Sequence, residues 1–228
     1  MSLKGSESML PLDAYSLVDL SMDVIPPGTE ERPFVTTHAL LHDGTTKYLI
    51  STHTHVGTHL EGPLHFFERG KDLVDFPLSA FLGRAWFFDV YEVPEDRCIT
   101  PKMLALQLEG KVAQGDIIIA RNLDDTNIAR VQETNNRALL PCFTPEAASW
   151  MRERGVKMLG IDNLVRLGKD VEATRKLHEI LLGADILLLE GLANLRDVQE
   201  NPFFLIAFPY KARGIDSSFV RAVALVRR

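Results

Sequence analysis

His53-Thr54-His55-Val56-Gly57-Thr58-His59-Leu60-Glu61-Gly62-Pro63-Leu64-His65 is the stretch on which the reading of this chain turns. The 228 residues contain seven histidines, and four of them fall here beside a carboxylate. His53, His55, His59, Glu61 and His65 all carry odd numbers, and in extended backbone residues of one parity share a face. Gly57 and Gly62-Pro63 bend the path, so a strand entering a shaped loop is expected. A lone histidine is more often a hydrogen-bonded surface or core residue than a ligand. Several imidazoles packed together repel one another once protonated, and imidazole with carboxylate suits a borderline divalent metal such as zinc. The cluster is therefore read as a metal site.

Downstream, His178 is the one histidine beyond residue 65, and Glu190 ends the apolar run Ile186 to Leu189. Such a run reads as a buried strand, and a buried ionised carboxylate is costly unless paired or bound to a metal. Taken singly, Glu190 would be a strand-end glutamate reaching solvent and His178 an ordinary helix-face histidine.

The remaining elements frame these positions. Lys47 to Thr52 should be a strand delivering the histidine cluster, and Arg84 to Val90 and Asp116 to Ala120 read as buried strands after glycines. Thr100-Pro101 and Thr144-Pro145 each resemble a helix start, a cap followed by proline at the first helical position. The second of these helices is expected over Ala147 to Arg154, ended by Gly155. A third, Val171 to Leu182, would carry His178 and end at Gly183. Strands separated by helices with β-rich flanks give a mixed α/β layered domain.

Composition sets the outer limits. Hydrophobic content of 46% and charged content of 25% suit a globular chain with a sizeable core. No linker, low-complexity tract or solenoid-length repeat interrupts it, so residues 1–228 are read as one domain. A net charge of −6 with scattered basic residues argues against nucleic acid as partner. Cys98 and Cys142 offer no disulfide framework or metal spacing, which suits a reducing cytoplasm. Met1 to Ser8 is polar, without a signal core, and is read as a disordered or appended segment. Phe203 to Phe208 is far shorter than the ~20 residues that cross a bilayer, so no membrane association is expected.

The order His55-Val56-Gly57-Thr58-His59-Leu60-Glu61-Gly62-Pro63-Leu64-His65 resembles the His-x-Gly-Thr-His-x-Asp-x-Pro-x-His pattern of the cyclase family, which includes bacterial kynurenine formamidases and isatin hydrolases. Glu61 stands where the family has aspartate. Leu177-His178-Glu179-Ile180-Leu181-Leu182 and Glu190-Gly191-Leu192-Ala193-Asn194-Leu195 are similar to two further elements of the family. Phe143 to Ala148, Gly155 to Asp162 and the closing strand Asp216 to Ala224 extend the resemblance over most of the chain. Asn163 to Lys169 and Ser217-Ser218-Phe219 depart from it, a difference that bears on the substrate pocket more than on the fold.

The resemblance implies a swivelling β/β/α layered fold with a mixed sheet, in a homodimer or homotetramer. It implies that His55, His59 and Glu61 hold one metal and Glu61, His178 and Glu190 a second, with His65 as acid/base. Zn²⁺, one or two per chain, suits these ligands, and Mn²⁺ is the other expectation. The lengthened Glu61 leaves one-metal and two-metal centres both open. The implied activity is hydrolysis of a C–N bond in an aryl formamide: N-formylkynurenine to kynurenine and formate, in tryptophan catabolism. A cyclic amide such as isatin and a non-catalytic, metal-stabilised binding protein are the alternatives. Phe66, Phe67, Phe76, Phe81 and Trp86 would line an aryl pocket or, by the commoner tendency, pack the core. Thr58 would orient ligands or bond turn backbone, and His53 lies outside the pattern.

Overall fold

Three successive isoleucines, Ile117 to Ile119, are fully buried and form the middle of the molecule. A strand with no solvent face needs cover on both sides, which is the condition of a central parallel strand. A computed structural model describes residues 12–228, so Met1 to Ser8 lies outside it. In chain order it has β1 (Tyr15–Asp19), β2 (Phe34–Leu40), β3 (Thr46–Thr52), β4 (His59–Glu61), β5 (Leu82–Val90), β6 (Cys98–Ile99) and α1 (Pro101–Leu108). There follow β7 (Ile117–Asn122), α2 (Asp125–Thr134), β8 (Cys142–Phe143), α3 (Pro145–Glu153), β9 (Met158–Asp162) and α4 (Val171–Leu182). The chain closes with β10 (Leu187–Leu192), β11 (Phe203–Ile206), β12 (Ser217–Phe219) and β13 (Val223–Arg227). This is the mixed α/β architecture expected from the sequence.

Nine strands form one mixed sheet in the order β1-β13-β11-β5-β7-β9-β10-β4-β12. Strands β5, β7, β9 and β10 run parallel, and the flanking pairs are antiparallel. Their residues alternate between two cores. Phe88, Ile118, Leu159 and Leu188 meet the helices through Ala147, Met151, Leu177 and Leu181. Phe87, Ile119, Leu187 and Leu189 meet Leu20, Leu60, Phe203 and Ala224 on the other side. Each large side chain so buried contributes about 1.5–3 kcal/mol of transfer free energy.

The expected closing strand over Asp216 to Ala224 is two strands. Residues Ser217–Phe219 pair with β4 at one edge of the sheet, and Val223–Arg227 pair with β1 and β11 at the opposite end. Only four positions separate Phe219 from Val223, so the two ends must lie side by side and the sheet curls. The backbone records this closeness: Leu20 N–H donates to Ala222 O at 2.9 Å, and Ser21 bridges to Leu192.

Helix α4 matches its expected bounds, with the Asp170 carboxylate accepting from Ala173 N–H at 2.8 Å as N-cap. Helix α3 starts at Pro145 with Thr144 as a true cap and stops before Gly155, whose φ is +65°. Thr100 precedes α1 but its side chain makes no capping bond. Strand β3 forms as expected, yet it pairs only with β2 in a two-stranded ribbon outside the main sheet. Cys98 and Cys142, distant in sequence, are direct partners across β6 and β8, and both are free thiols. Among the described residues no helix is long and apolar enough to cross a membrane.

Candidate metal centre

Of the histidine-rich stretch only His59 to Glu61 is strand; residues 53–58 form a loop, and His65 lies in the 3-10 turn Pro63–His65. One flat face does not account for the cluster. Parity holds for His59 and Glu61 on β4, while the loop folds His55 over and the turn swings His65 back. His53 leaves the group, its Nε2 lying 2.9 Å from Glu31 O.

Two glycines make this path possible. Gly57 has φ +67° and Gly191 has φ +68°, conformations that disfavour other residues. A Cβ on Gly191 would meet Gly57 O at 2.5 Å, so the loop lies directly against strand β10. The register of β10 against β9 slips between Leu189 and Leu192, a bulge at Glu190-Gly191 of the kind that re-aims a side chain. Thr58 clamps the same junction: its hydroxyl donates to Gly191 O at 2.6 Å and accepts from Met22 N–H at 2.8 Å. Of its two readings, Thr58 makes the backbone bonds.

Glu61 sits at the centre. Its Oε1 is 2.8 Å from His55 Nδ1 and 3.5 Å from His59 Nε2. Its Oε2 is 3.5 Å from His178 Nε2 and 3.8 Å from His65 Nε2. Glu190, carried on the bulged strand, places Oε2 3.8 Å from His59 Nε2. The fold thus brings His55, His59, Glu61, His65, His178 and Glu190 together. Donor atoms converge within 4.8 Å in three triads: His55–His59–Glu61, Glu61–His65–His178 and His55–His65–Asp216.

Asp216 is the member that sequence reasoning placed only in a closing strand. Its Oδ2 lies 2.7 Å from His55 Nε2 and 3.1 Å from His65 Nδ1, and its Oδ1 accepts from the Thr54 hydroxyl at 2.7 Å. A carboxylate one residue before Ser217-Ser218, in the segment already matched to the family, was the available signal.

Three imidazoles have one nitrogen held from behind and the other turned inward. His59 Nδ1 bonds Gly57 O at 2.9 Å, His178 Nδ1 bonds Thr174 O at 2.8 Å, and His55 Nε2 bonds Asp216. Metal-ligating histidines are oriented in this way. The buried Glu61 Oε2 has no hydrogen-bond partner, and an orphaned buried oxygen among inward-facing nitrogens fits a cation. The electrostatics agree. Burial would raise the Glu61 carboxyl, but the surrounding imidazoles outweigh it and hold it well below its usual range. Burial and the neighbouring Glu61 charge push Glu190 up. Burial lowers His55, yet Glu61 and Asp216 overcome it and raise it to about 9.

A cleft of about 390 Å³ opens onto this centre, lined by Arg32, His55, Glu61, His65, His178 and Glu190 among others. Of the aromatic residues considered for a pocket, Phe76 and Phe81 are buried in core, and Trp86 donates its Nε1–H to Asp116 at 3.0 Å. Phe66 stacks on His178 with ring centroids 6.1 Å apart and borders a neighbouring hollow with His65. Phe67 packs at a right angle to Phe66, against the helical core.

Residues 18–165 match the profile of a family described as "Putative cyclase". A kynurenine formamidase from Salinibacter ruber is 31% identical over 219 residues, covering 91% of this chain and 96% of that protein. A solved isatin hydrolase A from Labrenzia aggregata, bound to benzyl benzoate, superposes with a TM-score of 0.75 at 26% identity, covering 96% of each chain. Isatin hydrolase A from Ralstonia solanacearum, at 22% identity, has the same fold, with a TM-score of 0.76 over 98% of this chain and 100% of that one.

Proposed function

The chain belongs to the cyclase family, and from that premise we propose that it is a metal-dependent amidohydrolase releasing formate from an aryl formamide, N-formylkynurenine being the lead substrate. The observation that carries this reading is the buried Glu61 carboxylate, faced by four imidazole nitrogens with one oxygen otherwise unpartnered.

His55, His59 and Glu61 would hold one divalent ion, and Glu61, His178 and Glu190 a second, with Zn²⁺ or Mn²⁺ suited to the nitrogen and oxygen donors. When bound, such an ion supplies Lewis acidity and a water that ionises near neutral pH. The chain's own residues do the rest. Asp216 holds His65 by Nδ1, leaving Nε2 turned toward Glu61. From there His65 takes a proton from the attacking water and returns it to the leaving nitrogen, a role typically worth ~10²–10⁴ in rate. The likeness to isatin hydrolase A of Labrenzia aggregata supports a cyclic amide as the second reading.

We also assign a homodimer or homotetramer. The β2–β3 ribbon exposes Leu40, Tyr48, Leu49 and Ile50, each more than half accessible, and a lone two-stranded ribbon is marginal in water. Its cover is a second copy of the chain, which sedimentation equilibrium reads directly.

Metal analysis of protein purified without chelator, followed by formate release from N-formylkynurenine and ring opening of isatin, tests the activity. One or two ions per chain with formate release supports the reading; isatin turnover alone moves the substrate to the cyclic amide. Metal-free protein inert toward both after loading with Zn²⁺ and Mn²⁺ overturns it.

A further inference from the structure

Three arginines border the same cleft: Arg32 before β2, Arg137 at the start of the 3-10 turn Arg137–Leu139, and Arg166 beyond β9. Several other arginines are matched to acids, Arg121 to Asp89 at 2.7 Å and Arg84 to Asp116 at 2.9 Å among them. Among the described residues none of these three lies within 4.0 Å of a carboxylate oxygen, and Arg166 spends one nitrogen on Lys169 O at 3.0 Å. The backbone of Arg166 is pinned, its N–H donating to Pro141 O at 2.9 Å and its carbonyl accepting from Phe143 N–H at 3.3 Å. The guanidinium is therefore presented from a fixed base.

Charge balance in the cleft points the same way. Its acids are Glu61, Glu190 and Asp162, equal in number to the arginines. Glu61 and Glu190 face the imidazoles, and Asp162 takes the backbone N–H of Leu164 at 2.8 Å. Asp216 at the same centre brings the acids to four against three arginines, and even one divalent ion makes that set net positive, so the loaded cleft attracts an anion. Guanidinium groups recognise carboxylates through paired, charge-assisted hydrogen bonds. A space of about 390 Å³ takes a substituted aryl amide with room for such a tail.

We propose that Arg32, Arg137 and Arg166 form a subsite for an ionised carboxylate carried by the amide substrate away from its scissile bond, an inference that rests on the amidohydrolase reading. The arginines thereby select acidic aryl amides over neutral ones of the same shape.

The test uses the metal-loaded full chain and two amides that differ only at the end of the tail: 3-(2-formamidobenzoyl)propionate, which ends in a carboxylate, and 2-formamidobutyrophenone, which ends in an uncharged methyl. The ratio of their kcat/KM values favours the anion in the wild type and falls about tenfold or more in Arg137→Gln or Arg166→Gln. Binding of the amine product 3-(2-aminobenzoyl)propionate, followed by calorimetry, weakens in parallel and weakens further with salt. Equal ratios and equal product affinity across the three proteins overturn the subsite even with hydrolysis intact. Hydrolysis of neither amide, with product binding still dependent on the arginines, removes the amidohydrolase reading and leaves the carboxylate subsite standing.

Discussion

His55 Nε2 lies 2.7 Å from Asp216 Oδ2, although 161 positions separate the two residues. The same oxygen reaches His65 Nδ1 at 3.1 Å. One carboxylate therefore sets the ring orientation of a proposed ligand and of the proposed acid/base together. Replacing Asp216 with Asn removes the charge and keeps the shape. Partners of this kind are worth ~10–100-fold in metal affinity or activity. Competition with a chelating dye should show Zn²⁺ affinity falling by that order in Asp216→Asn, with kcat falling further because His65 is also released. Unaltered affinity and kcat would place Asp216 outside the working centre.

Glu61 concentrates the charge of the site. Its removal as Glu61→Gln leaves imidazoles facing one another with only the less buried Glu190 and Asp216 as counter-charges. Breaking a buried pair by one partner costs about 3–5 kcal/mol. Denaturant unfolding of the metal-free variant at pH 6 should show a loss of that order, and elemental analysis should show the metal content collapsing. A variant as stable and as metal-rich as the wild type would refute the central position of this carboxylate.

Gly191 has no room for a side chain. Its φ is +68°, and an added Cβ would approach Gly57 O to 2.5 Å. Strain of this type costs about 1–3 kcal/mol. Gly191→Ala should lower the unfolding midpoint accordingly and loosen the bulge that aims Glu190, so metal affinity should fall with it. Ala tolerated on both measures would mean the loop and strand separate freely.

Asp162 supplies a pH signature. Burial pushes its carboxyl from 3.8 up to about 6, above its unfolded value. The folded state therefore holds a proton that the unfolded state has released. Its contribution is fully present below about pH 3.8 and is lost as pH rises through about 6. Asp162→Asn abolishes the titration and keeps an oxygen to accept from Leu164 N–H. Thermal unfolding should show the Asn variant gaining on the wild type between pH 4 and pH 7; a constant difference across that range would contradict the assignment.

The parts legible in the sequence were those fixed by short-range chemistry. Helix α4 was bounded by a hydrophobic period and by Gly183, and β5, β7 and β10 by apolar runs between breakers. The motif spacing led to the group that the fold assembles around Glu61. What stayed hidden depends on distant pairing. Gly57 signalled a loop after the strand ending at Thr52 but not its course, because that path is set against Gly191 far downstream. Asp216 and the splitting of the closing segment into β12 and β13 follow from the curl of the sheet, which no local pattern encodes. The meeting of Cys98 with Cys142 across β6 and β8 has the same origin.

The curl also dictates an order of events while the chain is made. His55 emerges early, but its partner Asp216 comes immediately before β12, after every other member of the centre. A ribosome that has delivered 215 residues has delivered every proposed ligand but not the carboxylate that orients His55 and the proposed acid/base His65. Long-range closures of this kind are slow, so a nascent chain stalled before Asp216 holds His55 and His65 without their shared partner.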